Sequence, residues 1–227
     1  MTMPDLSGKR VLITQADAFM GPTLCEVFAE LGARVVADTR SLWLPEASAA
    51  ALAEAGEIDV LLLNLAVPAP TSSVTDATDQ EWAQVFGHMV DPMARLVRGA
   101  LPAMIARRAG KILLMGSASA LRGMKRTSSY SAARGAQLAY IQAVGVEVAP
   151  HNVQVNAIAQ NFVDNPTYFP PEVQALPAFQ ERLRREVPLG RLVSPREDAL
   201  FAAFLCSDAG ACFVGQVFPV CGGWVAR

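Results

Sequence analysis

The stretch IDVLLLNLAV (58–67) constrains the fold more than any other part of this chain. A strand with one solvated face alternates apolar and polar residues, whereas a run that is apolar throughout has to be covered on both faces. Helices crossing from one parallel strand to the next supply that cover. The residues ahead of it fit the same scheme. KRVLIT (9–14) is a short run rich in β-branched residues, and ARVVAD (33–38) is a second strand. Between them GPTLCEVFAELGA (21–33) places Leu24, Val27, Phe28 and Leu31 at helical spacing before Gly32 closes the helix. Strand, helix and strand in this order open an α/β fold built on a doubly wound parallel sheet.

The pattern continues to the end of the chain. Thr78 and Glu81 predict a capping box that starts one helix running through EWAQVFGHMVDPMARLVRGALPAMIARR (81–108). GKILLMGSAS (110–119) is a central strand with a polar end, Tyr130 to about Val148 a helix, and VQVNAIA (153–159) the next strand. An irregular, proline-rich insertion at about 160–190 carries a short helix, whose ERLRREVP charges read as a solvated face. Ser194 and Glu197 predict a second capping box, and GQVFPVCGGW (215–224) a closing strand. Neither repeats nor linkers interrupt the chain, and 227 residues suffice for one domain, 1–227, with a full core.

Composition narrows the function. The net charge of −2 without a basic run argues against a nucleic-acid partner. No apolar run approaches the roughly 18 residues of a membrane span, and MTMPDLSGKR does not read as a signal peptide. Cys25, Cys206, Cys212 and Cys221 form no CxxC pair, and with two histidines in the chain no metal site is expected. They read as thiols of a cytoplasmic protein.

In such a sheet, ligands bind at the carboxyl ends of the strands. Ser117 ends one strand, and Tyr130 and Arg134 lie one turn apart on the following helix, with Cβ atoms about 6 Å apart. A free phenol ionises near ~10, and a guanidinium one turn away favours its charged form, which makes a better general base. A tyrosine and an arginine on a solvated helix face, with Ser117 capping a strand, is the plainer alternative.

With this spacing on a strand end and a helix, the chain resembles the short-chain dehydrogenase/reductase superfamily, whose Ser…Tyr-x-x-x-Lys it carries with arginine in place of lysine. That replacement resembles the halohydrin dehalogenases, a cofactor-independent branch with a Rossmann-like sheet. The resemblance implies that Ser117, Tyr130 and Arg134 are a catalytic triad and that the assembly is a homotetramer. It also implies that the nucleotide site is lost. The glycine-rich turn reads TQADAFMG (14–21), with Gln15 and Phe19 at two glycine positions, while N-N-A-G reads LNLA (63–66). Met89 replaces a helix asparagine, and Gln160-Asn161 replaces a proline-glycine pair. The short Asp38-to-Asp59 segment implies that the usual helix and strand there are cut down. Asp38 alone remains where a ribose-binding carboxylate would lie.

The implied reaction needs no cofactor. Tyr130 takes the hydroxyl proton of a vicinal haloalcohol, the oxygen displaces halide from the neighbouring carbon, and an epoxide remains; small anions such as azide, cyanide or nitrite reverse it. By the same resemblance the halide lies at Phe19, Gln160, Asn161, Phe162 and Val163, where backbone N–H groups form an anion nest. Tyr168 and Phe169 wall the substrate. Trp224 packs on its own domain or reaches a neighbouring subunit, and Trp43 borders the pocket or joins the core. Two rivals stand beside this reading: an NAD(P)-dependent alcohol oxidoreductase with a degraded fingerprint, and a non-enzymatic binding relic of the fold.

Overall fold

The computed structural model describes residues 4–226; the first three residues of MTMPDLSGKR and the terminal Arg227 lie outside them. Strands β1 (Arg10–Thr14), β2 (Arg34–Asp38), β3 (Val60–Leu63), β4 (Gly110–Ser117), β5 (Val153–Gln160) and β6 (Val217–Val220) form one parallel sheet in the order β2-β1-β3-β4-β5-β6. This is the single-domain, doubly wound α/β architecture read from the sequence.

The apolar run at the centre explains itself in three dimensions. Leu61 and Leu63 of β3 join one core cluster, while Val60 and Leu62 join the other. Successive side chains point to opposite faces, so a strand buried twice needs apolar residues at every position. Helices α2 (Pro45–Ala55), α4 (Asp91–Arg107) and α5 (Ser128–Val148) supply buried residues to the first cluster. Helices α1 (Gly21–Glu30) and α8 (Pro195–Cys206) supply the second.

Three expectations are corrected. The long helix after Thr78 is two helices, α3 (Asp79–Met89) and α4, parted at Val90. Pro92 is the reason: its nitrogen cannot donate, and its ring crowds the carbonyl four residues earlier. The segment between Asp38 and Asp59 keeps a helix of 11 residues, α2, and among the described residues it has lost only a strand. The capping box at Thr78 is half formed. Thr78 accepts the Glu81 N–H at 3.1 Å, but the Glu81 carboxylate accepts bonds from Ser129 and Ser72 instead of turning back. Those bonds hold the Glu81 carboxyl below its ordinary pKa and anchor the first turn of α5, one residue ahead of Tyr130.

The box at Ser194 is complete. Ser194 Oγ accepts the Glu197 N–H, and the Glu197 carboxylate accepts the Ser194 N–H at 2.8 Å. Bonds from Arg191 and from that backbone push the Glu197 pKa down to about 2.

The turn after β1 depends on one glycine. A Cβ on Gly21 would lie 2.2 Å from the Gln15 carbonyl oxygen, inside a backbone-to-backbone contact with no flexible neighbour to yield. Gly21→Ala is therefore expected to destabilise the protein by about 2–3 kcal/mol, read as the drop in urea-unfolding midpoint. An unchanged midpoint would show that the turn can open without cost.

Candidate active site

The parallel register builds the site. Ser117 at the end of β4 is the direct partner of Gln160 at the end of β5, so two residues 43 positions apart stand side by side where the strands end. Helix α5 leaves the β4 edge and carries Tyr130 and Arg134 back over it. All ten residues singled out in the sequence line one cavity of about 200 Å³. Ser117, Tyr130, Arg134 and Phe19 are joined there by Gln160, Asn161, Phe162 and Val163 after β5, and by Tyr168 and Phe169 from the loop beyond. Such a volume lies below the range usual for sites of drug-sized ligands and suits a molecule of a few heavy atoms.

The triad residues are tied into a network. Arg134 Nε donates to Tyr130 Oη at 3.0 Å, and Arg134 Nη1 donates to the carbonyls of Leu65 and Met115 and to Gln137 Oε1 at 3.0–3.2 Å. Gln137 is itself held by donating to Met89 O at 2.8 Å. Burial works against the guanidinium charge, but the Tyr130 and Tyr168 phenols beside it outweigh that, and the Arg134 pKa stays above its ordinary value. Arg134 is a buried cation with no carboxylate partner among the described residues. Carbonyl dipoles neutralise it only in part, so the site favours a negative charge arriving or developing next to it. Ser117 Oγ sits 3.0 Å from Ser119 Oγ and accepts the Ser119 N–H, an arrangement that fixes the hydroxyl at the cavity wall.

Tyr168 is more than a wall. Its hydroxyl donates to Val67 O at 2.7 Å and lies 3.2 Å from Tyr130 Oη. Burial, then the neighbouring Tyr130, pushes the Tyr168 pKa up, so it remains a neutral phenol. With its proton on Val67 O, the Tyr168 oxygen accepts the Tyr130 hydroxyl, which leaves the Tyr130 lone pairs to Arg134 and to the cavity.

The anion nest is smaller than expected. The N–H of Asn161 is taken by Val220 O, that of Phe162 by Asn161 Oδ1, and that of Asp164 by Val193 O. Among the described residues only Val163 in this run keeps a backbone N–H without a protein acceptor, and the rings of Phe19, Phe162 and Phe169 supply the rest of the lining. Three different partners explain the loss: Val220 of β6 takes the Asn161 N–H, the Asn161 side chain turns back on Phe162, and the bridge of Val163 to Val193 takes Asp164.

Three further residues find their places. Arg182, on α7 (Pro177–Glu186), which follows the single turn α6 (Pro171–Gln174), lies over the Phe162 ring at 5.3 Å and lines the cavity, so the charges of that helix are not all on a solvated face. Trp224 is buried in its own chain, with its ring 6.1 Å from Phe162 and under the Arg122 guanidinium. Trp43 lies outside the cavity and packs on His88 at the surface. Sequence reasoning missed Ser119, Gln137 and Arg182. A buried glutamine and a helix-surface arginine leave no periodic signal of their own.

A dinucleotide does not fit these residues. Its seat in a doubly wound sheet is the crevice between β1 and β3, where the chain reverses direction across the sheet. Here the Gln15 side chain fills that crevice, donating to Ala66 O at 3.0 Å and accepting the Ala66 N–H at 2.8 Å. Asn64 stitches it further, donating to Gln15 O and Ala18 O at 2.9 Å. The Phe19 ring packs 5.6 Å from that of Tyr168. Asp38 is buried, with Oδ1 accepting from Arg40 and Oδ2 without a partner among the described residues. The backbone nonetheless keeps a glycine-like path, since Gln15 and Phe19 hold φ of 45° and 52°.

Known proteins share this architecture. The chain is 36% identical over 153 residues to an uncharacterized oxidoreductase of Bacillus subtilis, covering 67% of this chain and 60% of that protein. It is 30% identical to the cis-4-hydroxycyclohexanecarboxylate dehydrogenase of Sinomonas cyclohexanicum over 95% of this chain and 96% of that one. A solved structure described as a dehalogenation enzyme superposes with a TM-score of 0.89 at 29% identity, covering 97% of this chain and 99% of the other. Residues 7–225 match the family model described as enoyl-(acyl carrier protein) reductase, and the chain accordingly belongs to that family, within the short-chain dehydrogenase/reductase superfamily.

Proposed function

We propose that this protein is a cofactor-independent halohydrin dehalogenase, closing vicinal haloalcohols to epoxides with release of halide and a proton. One observation carries the reading: the nucleotide crevice is filled by Gln15 and Phe19 while Ser117, Tyr130 and Arg134 still meet at a small cavity. A tyrosine base without a hydride acceptor needs another sink for the electron pair, and a halide leaving from the neighbouring carbon is one. The likeness to a dehalogenation enzyme supports it.

In this mechanism Tyr130 first gives up its own proton to solvent. As a phenolate held by the Arg134 N–H it then accepts the hydroxyl proton of the substrate, whose oxygen Ser117 holds by donating to it. Arg134, bonded to the same phenol oxygen, supplies positive charge beside the developing alkoxide. The new C–O bond forms as the carbon–halogen bond breaks, and the halide departs toward Val163 N–H and the aromatic rings. Bound anions in that pocket make the reverse opening of epoxides accessible to halide, azide, cyanide and nitrite. The test is chloride and acid release from 1,3-dichloro-2-propanol by the purified protein in chloride-free buffer without nucleotide. No release, there or from the matching bromoalcohol, would overturn the reading.

Phe19 gives a separate handle on the halide. Phe19→Gly removes a ring from the pocket but relieves a left-handed residue, a gain of about 1 kcal/mol that offsets part of the lost packing. Stability is expected to hold to within about 1–2 kcal/mol, whereas product inhibition by bromide weakens about tenfold. Unchanged inhibition would move the anion away from Phe19.

An NAD(P)-dependent alcohol oxidoreductase is the second reading, favoured by the retained left-handed path at Gln15 and Phe19 and by the dehydrogenase relatives. It requires nucleotide-dependent absorbance changes and a rise in melting temperature with NAD or NADP.

A further inference from the structure

Gln160, one of the cavity residues, has a buried partner that the reaction above does not use. Its Nε2 donates to Oδ2 of Asp198, the fourth residue of α8, and Asp198 is fully buried. The other carboxyl oxygen, Oδ1, is buried with no hydrogen-bond partner among the described residues. A carboxylate with one oxygen orphaned in an apolar interior is costly, whereas a neutral acid with the same neighbours is not. The remaining amide atom of Gln160, Oε1, has no partner among the described residues, and Gln160 lines the cavity.

We propose that Asp198 decides which end of the Gln160 amide faces the cavity, and so couples binding of a small anion there to uptake of one proton. As a carboxylate, Asp198 accepts the Gln160 NH2 and leaves Oε1 toward the cavity, where an oxygen repels an anion. As a neutral acid it donates its O–H to Oε1, and a half-turn of the amide presents NH2 to the anion. The terminal torsion of glutamine is broad and two-fold, so the two orientations differ little in their own energy. One proton enters from solvent as one anion binds.

The surroundings leave Asp198 to act on Gln160 alone. On α8, Arg196 pairs with Glu30 of α1 at 2.6 Å and Glu197 pairs with Arg191 at 2.7 Å, all at the surface. Cys25 and Glu26 are the other titratable groups of α1, and neither bonds Asp198. Lys111 of β4 and Cys206 lie toward the far end of α8, about 12 Å along its axis, where Lys9 also meets Asp208. On the cavity side stand Tyr130, Arg134, Tyr168 and Arg182. Burial, opposed only by the bond from Gln160, pushes the Asp198 pKa up to about 7, within the range where the coupling can be read.

This inference deepens the dehalogenase reading, because it rests on an anion pocket at Gln160. The experiment is calorimetric titration of sodium bromide into the wild type, Asp198→Asn and Gln160→Met, in buffers of different ionisation enthalpy from about pH 5.5 to 8.5. Above pH 7 the wild type is expected to take up close to one proton per bromide, its Kd weakening by up to about tenfold per pH unit. Asp198→Asn, which does not titrate, and Gln160→Met, which has no amide to turn, are each expected to bind with a flat pH profile and no linked proton. A wild-type slope or proton uptake that survives in both variants overturns the coupling, as does pH-independent binding by the wild type, and either leaves the anion pocket standing. No bromide binding by the wild type at any pH overturns both.

Discussion

Replacing Tyr130 by phenylalanine is expected to cut nucleotide-free halide release by about 100- to 10,000-fold, the range spanned by loss of a positioned general base. The phenol oxygen is the one atom bonded to both Arg134 Nε and the second phenol, Tyr168, and it borders the cavity. Phenylalanine keeps the ring, its contacts with Val85 and Met89 in the small cluster under α5, and most of the burial. It removes two hydrogen bonds, a cost of about 1–3 kcal/mol that a domain of this size survives. The comparison therefore needs three readings on the same sample: chloride released, acid released and melting temperature. Loss of both products with a melting temperature within several degrees of the wild type identifies the base. Retained release would end the assignment of Tyr130 as base.

The second large effect is on stability. Folded Asp198 keeps its proton up to about pH 7, whereas in the unfolded chain it ionises near 3.8. Between those values the folded state binds more protons than the unfolded one. Stability from this group is thus fully present below about pH 4, is lost as pH rises, and reaches its floor above pH 7. A shift of this size corresponds to about 4 kcal/mol. Asparagine is nearly isosteric and does not titrate, so Asp198→Asn is expected to match the wild type near pH 4 and to exceed it by about 4 kcal/mol at pH 8. That gap is a rise of about 10 °C in melting temperature for a domain of this length. A difference that does not grow between pH 4 and pH 8 would show that Asp198 is not a carboxyl with a raised pKa.

Both predictions involve residues whose legibility in the sequence differs. Tyr130, Arg134 and Ser117 stood out because strand end and helix turn are local features, and the 13-residue interval places them on one side of the sheet. Asp198 did not stand out at all. It follows Ser194-Pro195-Arg196-Glu197, a capping box in which a further acidic residue looks like ordinary first-turn charge facing water. Its burial comes from the packing of α8 on α1, more than 150 residues away in the chain, and its one hydrogen bond comes from Gln160 at the end of β5, 38 residues away. The same holds for Arg182, whose helix has the composition of a solvated surface yet turns one guanidinium onto Phe162.

By itself the sequence determined the sheet, the helices on both of its faces and the positions of the polar residues at strand ends. Periodicity and turn chemistry are properties of a few consecutive residues, and burial on two faces leaves its mark in an unbroken apolar run such as Val60–Leu63. Tertiary structure alone decided which hydrogen-bond groups remain free at the cavity. The N–H groups of Asn161, Phe162 and Asp164 are spent inside the protein, the crevice between β1 and β3 is closed by Gln15, and Gln160 is tethered to a buried acid. Each donor or acceptor has finite capacity, and whether it faces a ligand depends on which distant segment reaches it first.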